Sequence, residues 1–374
     1  MKICFFGAYD RTFTSNKIVL KGLEQSGVTV VEVCSHVKVT RLNTPGDMSI
    51  GKLILRIVKK YKIFSEIIKH FGDLRSCDAI YVGYPGHFDV LMAYPLAKIF
   101  RKKLIFNPLV IFYTGFVADQ GILREDTMLA KLIKSGEKLL YYACDIVLAD
   151  TPYQKDHLVE EFGVNPEKIK ILPIGADDEI YQYSPRKNKT SKIQVVYYGL
   201  YSPLHGVEYI VDAAEILRNN TEITFVMVGK GNTYEKTVEH AKNLNLSTIK
   251  FYPEVTEENC FELLASADIF VGFLQKHPTV ERAIPNKVYQ GLALGKAVLT
   301  ADAAVIRSTF TNKKNIYVCK PANAASFAEA VLDLQKNTML RNDIAENGYQ
   351  LFLKDFTPKS VGQQLKKYVQ EIII

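Results

Sequence analysis

Short, continuous apolar runs alternate with amphipathic stretches along this chain. KICFFGAYDR opens as a buried strand ending at Gly7 and passes through a short loop to a helix over residues 16–25, with Gly27 behind it. VTVVEVCSH is the next strand. DAIYVGYPG, KKLIFNPLV and CDIVLADTP repeat the design before a helix that begins near Pro152. Strands separated by helices cannot pair as hairpins, so the pattern predicts a doubly wound parallel sheet.

The pattern then breaks. Residues 175–192 are polar, charged and proline-bearing, as an interdomain linker should be. After them IQVVYYGLYSPLHG reads as strand, glycine and loop, VEYIVDAAEILRNN as an amphipathic helix, and EITFVMVGKGN as a strand with a Gly-x-Gly turn. A helix to Leu246 follows, then TIKFYPEV as a strand, NCFELLASA as a helix and DIFVGFL as a strand. VERAIPNKVYQGLALGKAVLT then reads as a polar loop, a helix closed by Gly295, and a further strand. The expectation is α/β throughout: two doubly wound Rossmann-like domains facing across a cleft. Their spans are residues 1–174 and 193–355, with a final helix over 356–374 free to pack on either domain. Ligands of such sheets lie beyond the carboxyl ends of the strands.

With 374 residues, 48% hydrophobic and 23% charged, the chain can build two proper cores. Six cysteines stand singly, without CxxC or His spacing, and several lie in apolar runs. They read as reduced and buried in a cytoplasmic protein rather than as disulfides or a zinc site. MKICFFGAYD is too short an apolar run for a signal peptide, and no 18-residue apolar run occurs. The net charge of +7 sits almost wholly in the first half. Its densest part, residues 50–71, sets Leu53, Ile57, Ile63, Phe64, Ile67 and Ile68 against Lys52, Arg56, Lys59, Lys60, Lys62 and Lys69. That stretch reads as a core-packing helix with a solvated face, or as a peripheral contact with an anionic membrane; nothing supports nucleic acid as a partner.

Two glycine loops follow strands of the second half. Gly199, Pro203, His205 and Gly206 lie between a strand and the helix from Val207, where backbone N–H groups can meet an anion. Gly229 and Lys230 follow the next strand, but Tyr234 stands where a third glycine would complete a dinucleotide fingerprint. Glu281, Arg282, Asn286 and Lys287 crowd the start of the helix that carries Gln290. Each loop alone is compatible with an ordinary turn.

In this order, the loops with FYPEV, ADIFV and PNKVYQGLALGKAV resemble the donor-binding domain of glycosyltransferase family 4, of the GT-B fold. IGAD at residues 174–177 is similar to that family's interdomain junction. The resemblance implies transfer of a sugar from a nucleotide-diphosphate-sugar, with retained anomeric configuration, no metal and no cofactor. Lys287 and Arg282 would meet phosphates, Gln290 the ribose, and the turn from Tyr252 to Val255 the base. The chain departs from the family where its two glutamates, seven residues apart, would fall: Arg282 and Gln290 stand there. Its usual diphosphate Arg and Lys would fall on Leu200 and His205, so phosphate charge is expected to move to Arg282 and Lys287. Glu281 is a substitute carboxylate or a surface residue.

On the first domain's rim, His87 and Asp119 are candidate catalytic groups, and Gly7, Asp10, Arg11 and Asn16 candidate acceptor contacts; capping is the alternative role for each polar one. The expected partners are a nucleotide-diphosphate-sugar and a glycan or lipid-linked acceptor, handled at the cytoplasmic membrane face. The rival readings are a nucleotide-sugar 2-epimerase-type isomerase on the same fold, a non-catalytic nucleotide-sugar-binding relative, and a two-lobed solute-binding module, which would need export.

Overall fold

A computed structural model of the chain describes residues 1–34, 66–119, 122–185 and 192–373. Two compact units emerge: Met1–Ile174 together with Pro358–Ile374, and Gly175–Thr357.

The first unit is a six-stranded, all-parallel sheet in the order β2-β1-β3-β4-β5-β6. Its strands are β1 (Lys2–Gly7), β2 (Thr29–Cys34), β3 (Ala79–Val82), β4 (Lys103–Phe106), β5 (Ile146–Ala149) and β6 (Ile169–Ile171). β3 and β5 are buried at every position, which is why they read as unbroken apolar runs rather than alternating ones. The linking helices are α1 (Thr14–Gln25), α2 (Phe71–Ser76), α3 (His87–Phe100), α4 (Met128–Ala143) and α5 (Pro152–Phe162). Thr127 and Thr151 cap α4 and α5 by accepting the N–H of Ala130 and Gln154.

The second unit repeats the plan with the order β12-β11-β10-β7-β8-β9, again parallel throughout. Its strands are β7 (Ile193–Tyr198), β8 (Ile223–Val228), β9 (Ile249–Tyr252), β10 (Ile269–Val271), β11 (Ala297–Ala301) and β12 (Tyr317–Cys319). Its helices are α6 (Glu208–Ile216), α7 (Tyr234–Asn243), α8 (Glu257–Ala265), α9 (Pro278–Arg282), α10 (Asn286–Ala293), α11 (Ala304–Thr309), α12 (Ala324–Lys336) and α13 (Thr338–Asp355). The strand order reverses between β7 and β10, and the crevice at such a reversal is where this fold takes ligands.

After α13 the chain returns to the first unit as α14 (Pro358–Ile373), whose Val361, Leu365 and Val369 join the core beneath α1. The crossing of α1 and α14 is set by Gly22 and Gly362: a Cβ on Gly362 would lie 2.0 Å from Gly22 backbone atoms. Only glycine at both positions lets the helices approach this closely. The segment read as a linker, residues 175–192, falls within the second unit as far as it is described. Of the basic stretch 50–71, residues 50–65 lie outside the described residues.

Candidate functional site

β7 ends at Tyr198, and Gly199 turns the chain with φ +142, a value open to glycine. The amino group of Lys287 lies against this turn, 3.2 Å from where a Gly199 Cβ would stand. Lys287 is the second residue of α10 and only 5% exposed. Its Nζ sits 4.0 Å from the centre of the Tyr197 ring, 5.5 Å from that of Phe273 and 3.4 Å from His205 Nδ1. Among the described residues no carboxylate pairs with it. Burial pushes the amine well below the ordinary lysine range.

His205 closes the short 3-10 turn Pro203–His205 and is fixed by Tyr197 Oη at 2.8 Å from Nδ1, with Phe273 4.7 Å away, ring to ring. Burial first, and then the neighbouring Lys287, push its imidazole well below the usual histidine range. His205 is therefore neutral and brings no cation of its own. Gly206 follows with φ +67 and packs against the Gln275 backbone, while Pro203 offers its carbonyl to Gln275 Nε2 at 3.3 Å. At the next strand Gly229 turns at φ +120 against the carbonyl of Gly199, so the two glycine loops are in contact.

The structure thus brings Gly199, His205, Gly206, Gly229 and Lys287 together at the strand reversal. The other expected donor contacts are spread more widely. Lys230 is exposed and 3.7 Å from Glu254. Tyr252, at the end of β9, accepts the Gly229 N–H on its carbonyl at 2.9 Å, and Val255 stands three residues beyond it, half-buried. Glu281 accepts the N–H of Ala304 at 2.6 Å and so serves as a cap for α11. Arg282 ends α9 and Asn286 begins α10. Gln290 is buried, and its Nε2 donates to Tyr181 Oη at 2.9 Å.

The expected rim of the first unit is built differently. His87 is not an open rim group: it is 2% exposed, stacked on Phe112 at 3.6 Å, with Nε2 3.1 Å from Glu137. Glu137 also accepts the N–H groups of Phe112 and Tyr113 and the Tyr141 hydroxyl. Burial raises its carboxyl, but His87, the Tyr113 N–H and the Tyr141 hydroxyl outweigh that and hold it below the usual range. Asn16 is likewise enclosed, bridging the loops through Asp10 O, Tyr84 O and Tyr84 N. Gly7, at φ +122, packs its Cα on Asp89. Asp10 receives Thr12 N–H and Oγ1, and Arg11 reaches Glu32 at 3.3 Å. Asp119 closes the helical stretch Gly115–Asp119; its side chain lies outside the described part.

Four residues escaped the sequence reading. Tyr197 and Phe273 wall the Lys287 amine, yet in an apolar strand and loop they read as core. Asp150 and Ser15 line a cavity of about 10 Å³ with Asn107, at the ends of β4 to β6. Asp150 Oδ1 and Ser15 Oγ are fully enclosed and have no hydrogen-bond partner, and burial pushes the Asp150 carboxyl up to about 7. Among the described residues no three His, Cys, Asp or Glu side chains gather as metal ligands, and no helix is long and apolar enough to cross a membrane.

Comparison with known proteins places this arrangement. Residues 180–351 match the family described as glycosyl transferases group 1. An uncharacterized glycosyltransferase of Methanocaldococcus jannaschii is 22% identical over 247 residues, covering 64% of this chain and 62% of that one. Mannosylfructose-phosphate synthase of Agrobacterium fabrum is 23% identical over 255 residues, covering 63% and 54%. The chain thus spans between half and two thirds of the length of these relatives. Among solved structures, HepE of Anabaena in complex with UDP superposes with a TM-score of 0.70 at 14% identity over all of both chains. Sucrose-phosphate synthase of Thermosynechococcus elongatus gives 0.72 at 13% identity, covering 100% of this chain and 99% of that one. The fold is GT-B, and residues 180–351 of its second unit are similar to the glycosyl transferases group 1 family.

Proposed function

We propose that the protein transfers a glycosyl group from a nucleotide-diphosphate-sugar to a hydroxyl of a glycan or lipid-linked acceptor, with retention of configuration and without a metal or cofactor. One observation carries this reading: the Lys287 amine, buried against the Gly199 turn with no carboxylate beside it among the described residues. Burial disfavours the charge on this amine, and a diphosphate seated on the Gly199 and Gly229 turns would favour it. The solved structures of HepE with UDP and with UDP-glucose make a uridine nucleotide the first to test.

In the transfer, the bond from the anomeric carbon to the phosphate oxygen breaks as the acceptor oxygen bonds to the same face of that carbon. The acceptor proton passes to the leaving phosphate oxygen, so no protein nucleophile takes part. Lys287 stabilises the negative charge that grows on the departing diphosphate. Gln290, already oriented by Tyr181, meets the ribose as a neutral amide.

Thermal unfolding with uridine, guanosine and adenosine diphosphates and their sugars, with chelator or magnesium, tests the reading. At a hundred times its dissociation constant a ligand adds about 2.7 kcal/mol of stability, which is readily seen. No shift from any nucleotide sinks the proposal. Product analysis with UDP-sugar alone separates a 2-epimerase from a transferase, because only the former changes the sugar without an acceptor.

A further inference from the structure

The outer faces of α3 and α4 are built against the usual rule for a surface helix. Both helices pack one side on the same face of the first sheet, through Val90, Ala93 and Ala97 of α3 and Ala130, Leu140 and Tyr141 of α4. Their opposite sides should be polar. Instead α3 exposes Leu91 (61%) and Ile99 (71%), and α4 exposes Leu132 (58%) and Leu139 (69%). Each helix contains a single carboxylate, Asp89 and Glu137, and both are buried, so the exposed faces carry no acid. The charges that remain are cations: Lys98 lies over the Tyr94 ring at 5.3 Å, Lys138 over Tyr142 at 5.6 Å, and Lys131 is exposed. Lys134 is already paired with Glu161. Glu125 and Asp126 stand ahead of α4, with Asp126 held by Arg124 at 3.0 Å.

We propose that the α3–α4 face docks on an anionic lipid surface, with leucine and isoleucine side chains entering the headgroup boundary and lysines meeting lipid phosphates. An apolar face rimmed by lysines and aromatic rings is the composition of an interfacial helix. Charge decides the occupant. A second copy of the same face would set lysine against lysine, whereas anionic headgroups complement every exposed charge on it. The surface is independent of nucleotide chemistry, so UDP binding is measured alongside and fails or holds separately.

The test is vesicle flotation of the full chain. Wild type should float with phosphatidylcholine–phosphatidylglycerol vesicles and not with phosphatidylcholine alone. Leu132→Glu/Leu139→Glu should lose at least tenfold in binding, and each of Lys131→Glu and Lys138→Glu about fivefold. Ile216→Glu, an exposed apolar position of the second unit, should bind as wild type. Unchanged UDP-induced stabilisation in the variants shows that they are folded. No flotation of wild type, or undiminished binding by Leu132→Glu/Leu139→Glu, overturns the proposal. So does light scattering that finds a wild-type dimer abolished by those two substitutions.

Discussion

The rims of the two sheets share a fold and treat their polar groups in opposite ways. In the first unit His87 and Asn16 are enclosed and bonded, with only His87 Nδ1 of these groups lacking a partner: Glu137 gathers four donors, and Asn16 ties two loops together. In the second unit the corresponding rim buries a lysine against aromatic rings and a neutral histidine, with no carboxylate at hand among the described residues. A hydrogen-bonded network rigidifies a scaffold, whereas an amine buried without a counter-ion leaves a place for an anionic ligand. That difference is why the proposed phosphate contact is sought on the second rim.

Breaking the satisfied side should have the largest effect. Glu137→Ala strips His87, two backbone N–H groups and the Tyr141 hydroxyl of their acceptor, and chemical denaturation should show a loss of about 3–5 kcal/mol. A loss below about 1 kcal/mol would mean that His87 and its neighbours find water instead.

Asp150 is the exception on the first rim, and its effect has the opposite sign. The folded protein keeps the Asp150 proton up to about pH 7, while the unfolded chain releases it near the ordinary value of 3.8. Between those values the native state binds more protons, so stability falls as pH rises, and the penalty is complete above pH 7. Asp150→Asn should therefore be more stable than wild type at pH 8, by at most about 4 kcal/mol. Urea unfolding at pH 8 and pH 5 checks this, with a smaller gain expected at the lower pH. A variant less stable than wild type at pH 8 contradicts it.

On the second rim, Lys287→Met should weaken UDP binding by about a hundredfold, since charge-assisted bonds to phosphate in a dry site are the strong ones. The smallest effect belongs to Lys230, exposed and loosely paired with Glu254. Lys230→Ala should change stability by less than about 0.5 kcal/mol, as surface pairs do.

Much of the architecture could be read from the sequence because parallel strands buried on both faces leave unbroken apolar runs, as β3, β5 and β10 do. Lys287 was legible because a cation at the start of a helix, just after a polar loop, stands out. Tyr197 was not, since a tyrosine in an apolar strand reads as core until the ring is seen beneath an amine. His87 shows the reverse limit. Its position after a strand suggests a rim group, but the partner that encloses it, Glu137, is fifty residues further on. The place of α14 rests on the fit of Gly22 to Gly362, a contact no local pattern encodes.

Thermal unfolding of wild type and Lys287→Met at neutral pH, each with and without UDP, tests the central claim most directly. Burial lowers the Lys287 amine, so the folded state resists its protonation. That penalty is full below the lowered value and fades as pH rises toward 10.5. The variant should therefore melt higher than wild type without ligand and gain little from UDP, while wild type melts lower and gains strongly. Equal stabilisation of both proteins by UDP would show that Lys287 is an ordinary buried lysine and not the phosphate site.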